Sequence, residues 1–179
     1  MSERAPSRIW AMRLVYLGLA LLIMFFHLLP LETVPRRLAP PDLLIAFTFA
    51  WSLRRPDFVP ILSVALVMLL ADLLFGRPPG LLSSLVVIGA AYLRGSSAGM
   101  SDASFVGEWL SVGAVLVAVT LLNRVILGLF LVQQAPLWLT LSQLVLTVLV
   151  YPLVAFATQY LLGVRKLAPS DAEAFGGRA

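Results

Sequence analysis

From Trp10 to Leu162 the chain is a succession of apolar runs separated by short segments rich in Pro, Gly or Arg. A helix needs about 20 apolar residues to cross a hydrocarbon core, and the first run, Trp10 to Leu29, has that length. Only 12% of the 179 residues are charged and 60% are hydrophobic, with a mean hydropathy of +0.97, whereas soluble domains carry about 25% charged residues. The pattern predicts an all-α, polytopic membrane protein. A chain of this length holds about five to seven spans with little mass outside the bilayer, which excludes a separate soluble catalytic domain.

Apolar periods and turn residues predict helices over 10–29, 41–53, 58–75, 80–93, 109–132 and 137–162. They form one transmembrane domain, 1–166, followed by a polar cytoplasmic tail, 167–179. The basic head and first apolar run resemble a signal peptide, but "LLPLETVPRR" supplies no small-residue cleavage pattern, so the run is read as a retained span. Helices 2 and 4 are short, rising only about 20 Å at 1.5 Å per residue against a core of about 30 Å. They must thin the bilayer, lean on neighbours or stop partway. Both open on similar sequences, "PPDLL" and "PPGLL", where Pro suits the first helical turn and Asp42 is favoured beside the positive end of the helix dipole.

Orientation follows from the basic residues. With the N-terminus inside, Arg4, Arg8, Arg13, Arg54, Arg55, Arg94, Arg165, Lys166 and Arg178 face the cytoplasm, against Arg36, Arg37 and Arg77 outside. This excess predicts six spans with both termini cytoplasmic.

Two charges fall within predicted spans. Asp72 lies about 5 Å inside the outer boundary and Arg124 about 12 Å inside it, by helical rise. A charge at the bilayer centre costs about 2.5–3.5 kcal/mol on insertion scales, so Arg124 should not face lipid unpaired. Two arrangements satisfy this. Asp72 and Arg124 pair, directly or through water, and fix helix 3 against helix 5, or Asp72 caps the "GRPPG" turn while Arg124 snorkels alone. His27 reads as an interfacial residue, Pro152 as a bend in helix 6, and Ser83, Ser84, Gly89, Ala90 and Ala91 as a small-residue surface for close helix contact.

The chain has no cysteine and one histidine. Disulfides and thiolate chemistry are excluded, and no metal site or other cofactor is expected. Scattered basic residues argue against nucleic acid. Walker, HExxH and GxSxG motifs are missing, as is a carboxylate relay, so a non-enzymatic protein is expected.

The segments "PPDLLIAFTFAWSLRRP", "LADLLFGRPPGLLSSLVVIGAAYL" and "LTVLVYPLVAFATQYLLGVRK" resemble the rod shape-determining MreD family of bacteria. Its pattern has a Pro-Asp or Pro-Asn opening helix 2, an Asp-Leu-x-x-Gly-x-x-x-Gly hinge between helices 3 and 4, and a Pro late in the last helix before a basic tail. Pro41, Asp42, Asp72, Gly76, Gly80 and Pro152 occupy those places. With Pro79 and Arg124 they are the candidate hinge or partner-binding residues. Met68, where the family often has glycine, and Arg124 depart from the pattern. The resemblance implies a six-helix fold similar to the substrate-binding subunits of energy-coupling-factor transporters. It also implies a scaffold role in side-wall peptidoglycan synthesis in the bacterial cytoplasmic membrane. The expected partner is an MreC-like single-span protein, with RodA, a penicillin-binding transpeptidase and MreB in the wider complex, and membrane lipids around it. The alternative is a capture subunit of a vitamin or metal transporter on the same fold. That reading requires polar groups converging on an outward pocket, and the short outer loops predict few of them.

Overall fold

The computed structural model describes residues 6–29, 38–97 and 104–164. The described residues form six α-helices: α1 Pro6–Leu28, α2 Leu43–Arg54, α3 Ile61–Leu74, α4 Leu81–Ser96, α5 Phe105–Leu129 and α6 Leu137–Leu162, with a 3-10 turn Pro56–Phe58 between α2 and α3. Number and order match the sequence pattern, but several ends move. α1 starts before Trp10, α4 continues past Leu93, and α5 runs from Phe105 to Leu129 rather than from Trp109 to Val132. The tail 167–179 lies outside the described residues, as do Arg4, Arg36, Arg37, Arg165, Lys166 and Arg178, which enter the predicted orientation.

α1, α5 and α6 are long and apolar enough to cross a membrane, and α2, α3 and α4 are shorter apolar helices. Successive helices alternate in direction. Arg13 near the start of α1 donates to the Asp57 carbonyl at 3.2 Å, and Arg94 late in α4 donates to the Val59 carbonyl at 3.0 Å. These contacts mark one end of the bundle, here called the near side. At the far side the His27 ring lies 4.4 Å from the Phe75 ring, and Ala39 N–H donates to Ser142 Oγ at 3.2 Å.

The shortest helix is the centre of the fold. Every residue of α2 from Leu44 to Arg54 is buried, enclosed chiefly by α6 and α4. A helix that is apolar all round belongs inside. Its 12 residues therefore need not match a bilayer, because protein rather than lipid surrounds them. Tyr16, Phe47 and Trp51 pack α1 onto α2, with Tyr16 and Phe47 stacked at 5.4 Å and Phe47 and Trp51 at 5.1 Å.

α4 turns Ser83, Val86, Gly89, Ala90 and Leu93 inward, a helical three-to-four spacing. A Cβ on Gly89 would stand 2.8 Å from Val115 Cγ1 and 3.0 Å from Phe49 Cζ. The small-residue surface thus lets α4 sit close between α2 and α5, while Ser84 and Ala91 face outward.

Chain reversal at the end of α3 uses a left-handed glycine. Gly76 has φ +64°, and Arg77 N–H returns to the Asp72 carbonyl at 3.0 Å, the bond of a Schellman C-cap. The end of α5 repeats the motif with Leu131 at φ +54° and Val132 N–H on the Leu127 carbonyl at 3.0 Å.

α6 is continuous through Pro152. Proline has no N–H, which leaves the carbonyl four residues earlier, that of Val148, without its helical partner. Trp109 Nε1 of α5 donates to that oxygen at 2.8 Å.

Candidate functional site

The far side collects most of the candidates. Asp72, in the last turn of α3, is 1% exposed. Its Oδ2 accepts from Gly80 N–H and Ser83 N–H, each at 3.2 Å, and from the Ser83 hydroxyl. Those backbone groups open α4, where helical N–H groups lack internal partners and negative charge is favoured. Asp72 is thus an N-cap supplied to α4 by the preceding helix. Gly80, at φ +91°, is the left-handed residue that brings α4 onto it.

Asp42 sits just before α2 rather than in its first turn. It caps α2 by accepting from Ile45 N–H at 3.1 Å, while its own N–H donates to Thr147 Oγ1 of α6 at 2.9 Å. Pro41 precedes this cap. A long ion pair of 3.8 Å links Asp42 to Arg77 of the α3–α4 corner, and the Arg77 guanidinium lies 5.2 Å from the Phe75 ring centroid.

Arg124 points to the turn that follows it. One terminal nitrogen donates to the Ala135 carbonyl at 3.1 Å and to Thr140 Oγ1 at 2.8 Å, and Gln134 Nε2 donates to the Arg124 carbonyl at 3.1 Å. Among the described residues Asp72 and Arg124 thus form no direct ion pair. The nearby α4 N–H groups engage the carboxylate, and the α5–α6 turn supplies neutral acceptors to the guanidinium. The capping alternative for Asp72 is the one adopted.

Between these groups lies a cavity of about 340 Å³, within the size range of small-molecule sites. Asp42, Arg77, Asn123, Arg124, Gln134 and Gln143 give it polar lining, and Ile45, Leu82, Leu116 and Val119 give it apolar lining. The polar lining is richer than the short connecting segments lead one to expect. The residues come from four helices, two turns and the cap of α2, and their convergence depends on the tertiary fold. Gly76 also lines the cavity, whereas Pro41, Asp72, Pro79, Gly80 and Pro152 do not.

A second polar cluster, at the near side, is not foreshadowed by the sequence pattern. Arg54 Nε donates to Glu108 Oε1 at 2.6 Å with the two side chains 3% and 0% exposed. The Tyr151 hydroxyl donates to the same oxygen at 2.7 Å. Arg54 also donates to the Ala155 carbonyl at 3.0 Å and to Gln159 Oε1 at 3.1 Å. In the sequence Arg54 reads as a cytoplasmic flank and Glu108 as part of a loop. The usable signal is Ser104, whose side chain caps α5 through Gly107 N–H at 3.3 Å; such a cap starts the helix at Phe105 and brings Glu108 inside it.

Among the described residues, no group of three or more His, Cys, Asp or Glu side chains could hold a metal ion. Searches against protein-family models, curated proteins and solved structures give no match to this chain.

Proposed function

We propose that this protein is a non-enzymatic scaffold in the bacterial cytoplasmic membrane that binds an MreC-like single-span partner within the cell-elongation machinery. The observation that carries the reading is the corner from Asp72 to Gly80. Every residue on which the MreD resemblance rests there has a structural role, since Asp72 caps α4 while Gly76 and Gly80 take the left-handed backbone that reverses the chain. In this reading all six helices lie in the membrane with both termini cytoplasmic, so the far side faces outward. RodA, a penicillin-binding transpeptidase and MreB belong to the wider assembly.

The outer surface supports a role in binding within lipid. Leu62, Leu66, Leu69 and Leu73 of α3 are 71%, 60%, 41% and 60% exposed, and their four-three-four spacing makes one continuous stripe. A soluble protein would not leave so much contiguous apolar surface open. The stripe gives a partner's spanning helix a seat beside the corner of α3 and α4.

Depletion in a rod-shaped host tests the proposal: cells round up, and affinity isolation recovers the single-span partner. Because the chain lacks cysteine, a single Leu66→Cys variant should cross-link specifically to that partner. Normal rods together with lost uptake of a vitamin would overturn the scaffold reading. The second reading, a solute-capture subunit of an energy-coupling-factor type transporter, is favoured by one observation, the far-side cavity with its polar lining.

A further inference from the structure

The far-side cavity carries unmatched positive charge. Arg77 and Arg124 are the cations among its lining residues and Asp42 is the carboxylate, so two positive charges face one negative charge. The Asp42–Arg77 ion pair is long, at 3.8 Å, and Arg77 remains partly exposed. Among the described residues, the Arg124 side chain bonds only to a carbonyl and a hydroxyl, both through one terminal nitrogen. A guanidinium offers five N–H donors in a planar fork that matches phosphate and carboxylate oxygens. Most of the Arg124 fork is left over after its bonds to the turn.

The cavity also has an apolar side, formed by Ile45, Leu82, Leu116 and Val119. The α5–α6 turn beside it exposes Phe130 and Leu131 at 75% and 93%, in a backbone whose left-handed Leu131 would ordinarily be glycine. Apolar side chains at that exposure belong in hydrocarbon rather than in water. The arrangement fits a ligand with one negative charge, oxygen acceptors and an attached apolar body.

We propose that the cavity binds a phosphoryl monoanion, with Arg124 and Arg77 holding its oxygens and the apolar wall receiving the adjoining carbon chain. The group has two sources, the phosphodiester head group of an anionic phospholipid or a free phosphodiester of the same charge. The inference is independent of the partner reading, because the site is complete within one chain.

Native mass spectrometry of the full chain in detergent tests it, with phosphatidylglycerol as probe and diacylglycerol as the uncharged control. The expected result is a one-to-one phosphatidylglycerol adduct and none with diacylglycerol. Arg124→Gln and Arg77→Gln should each weaken the adduct about tenfold, the loss of one charge-assisted hydrogen-bonded contact. Asp42→Asn should strengthen it by removing the opposing charge. Arg77 anchors no turn by its side chain, so Arg77→Gln keeps the test valid if Arg124→Gln fails to fold. Competition by glycerophosphoglycerol separates the sources: displacement at similar concentration assigns a soluble phosphodiester, and persistence of the adduct assigns the lipid. Absence of the phosphatidylglycerol adduct, equal binding of diacylglycerol, or unchanged affinity in Arg77→Gln would each overturn the proposal.

Discussion

Arg54 of α2 donates from Nε to Glu108 Oε1 of α5 at 2.6 Å, with both side chains withdrawn from solvent. The contact fastens the end of the central helix to the start of a long outer one. Removing either partner takes a charge-assisted hydrogen bond away from a buried charged group, which costs about 3–5 kcal/mol. Arg54→Met and Glu108→Leu are each expected to lower stability by that order, whereas the double variant recovers most of the loss. A thermal-unfolding double-mutant cycle in detergent checks this. Additive losses would show that the pair is not coupled.

Asp72 reaches Ser83 and Gly80, not Arg124. Asp72→Ala should therefore destabilise the protein by about 1–3 kcal/mol, the range for stranding buried donors, and should increase proteolysis at the α3–α4 corner. The exchange Asp72→Arg with Arg124→Asp should give no rescue over the single variants. Restored stability in that exchange would mean that the two side chains meet.

Val148 lends its carbonyl to Trp109 because Pro152 withholds the usual helical donor. Trp109→Phe should cost about 1–3 kcal/mol by stranding that oxygen. In a Pro152→Ala background the regained N–H can serve the same carbonyl, so the Trp109→Phe loss should shrink. Equal losses in both backgrounds, measured by chemical denaturation, would separate the tryptophan from the proline.

Two left-handed positions differ in their residue and so should respond oppositely. Gly76→Ala at φ +64° should cost about 1 kcal/mol, and Leu131→Gly at φ +54° should gain about that in the turn itself, since an L side chain is strained there by about 1–2 kcal/mol. Thermal midpoints moving in opposite directions check the pair of substitutions.

Gly89 meets neighbours at distances that leave no room for a methyl group. Gly89→Ala should therefore destabilise by about 1–3 kcal/mol through overpacking against Val115 and Phe49, although alanine is the better helix former. A variant that unfolds at higher temperature would show that α4 can shift away from α2.

The corner "LADLLFGRPPGLL" is legible in outline. Its glycines and prolines announce a reversal, and a cap made by Asp72 is one of the two arrangements its position allows. The site around it is less legible. The helical rise places Arg124 near the far end of α5, but its destination in the following turn depends on how that turn folds back. Glu108 reads as a loop residue because it ends the Gly-, Ser- and Asp-containing segment that starts at Arg94, and only the cap made by Ser104 brings it into the helix.

Sequence alone determined the local matters: an all-helical chain, six helices in order, and reversals where Gly and Pro fix the backbone. Hydrophobic runs and turn chemistry act between near neighbours, so they can be read along the chain. Tertiary structure decided that the shortest helix lies at the centre, that Arg54 faces Glu108 and Tyr151, and that Asp42, Arg77 and Arg124 share a cavity. Those outcomes depend on the angular phase of each helix and on partners far apart in the chain. Arg54 and Glu108 are separated by 54 positions, Asp42 and Thr147 by 105. Apolar periodicity states how much of a helix prefers burial, but only packing states which neighbour buries it.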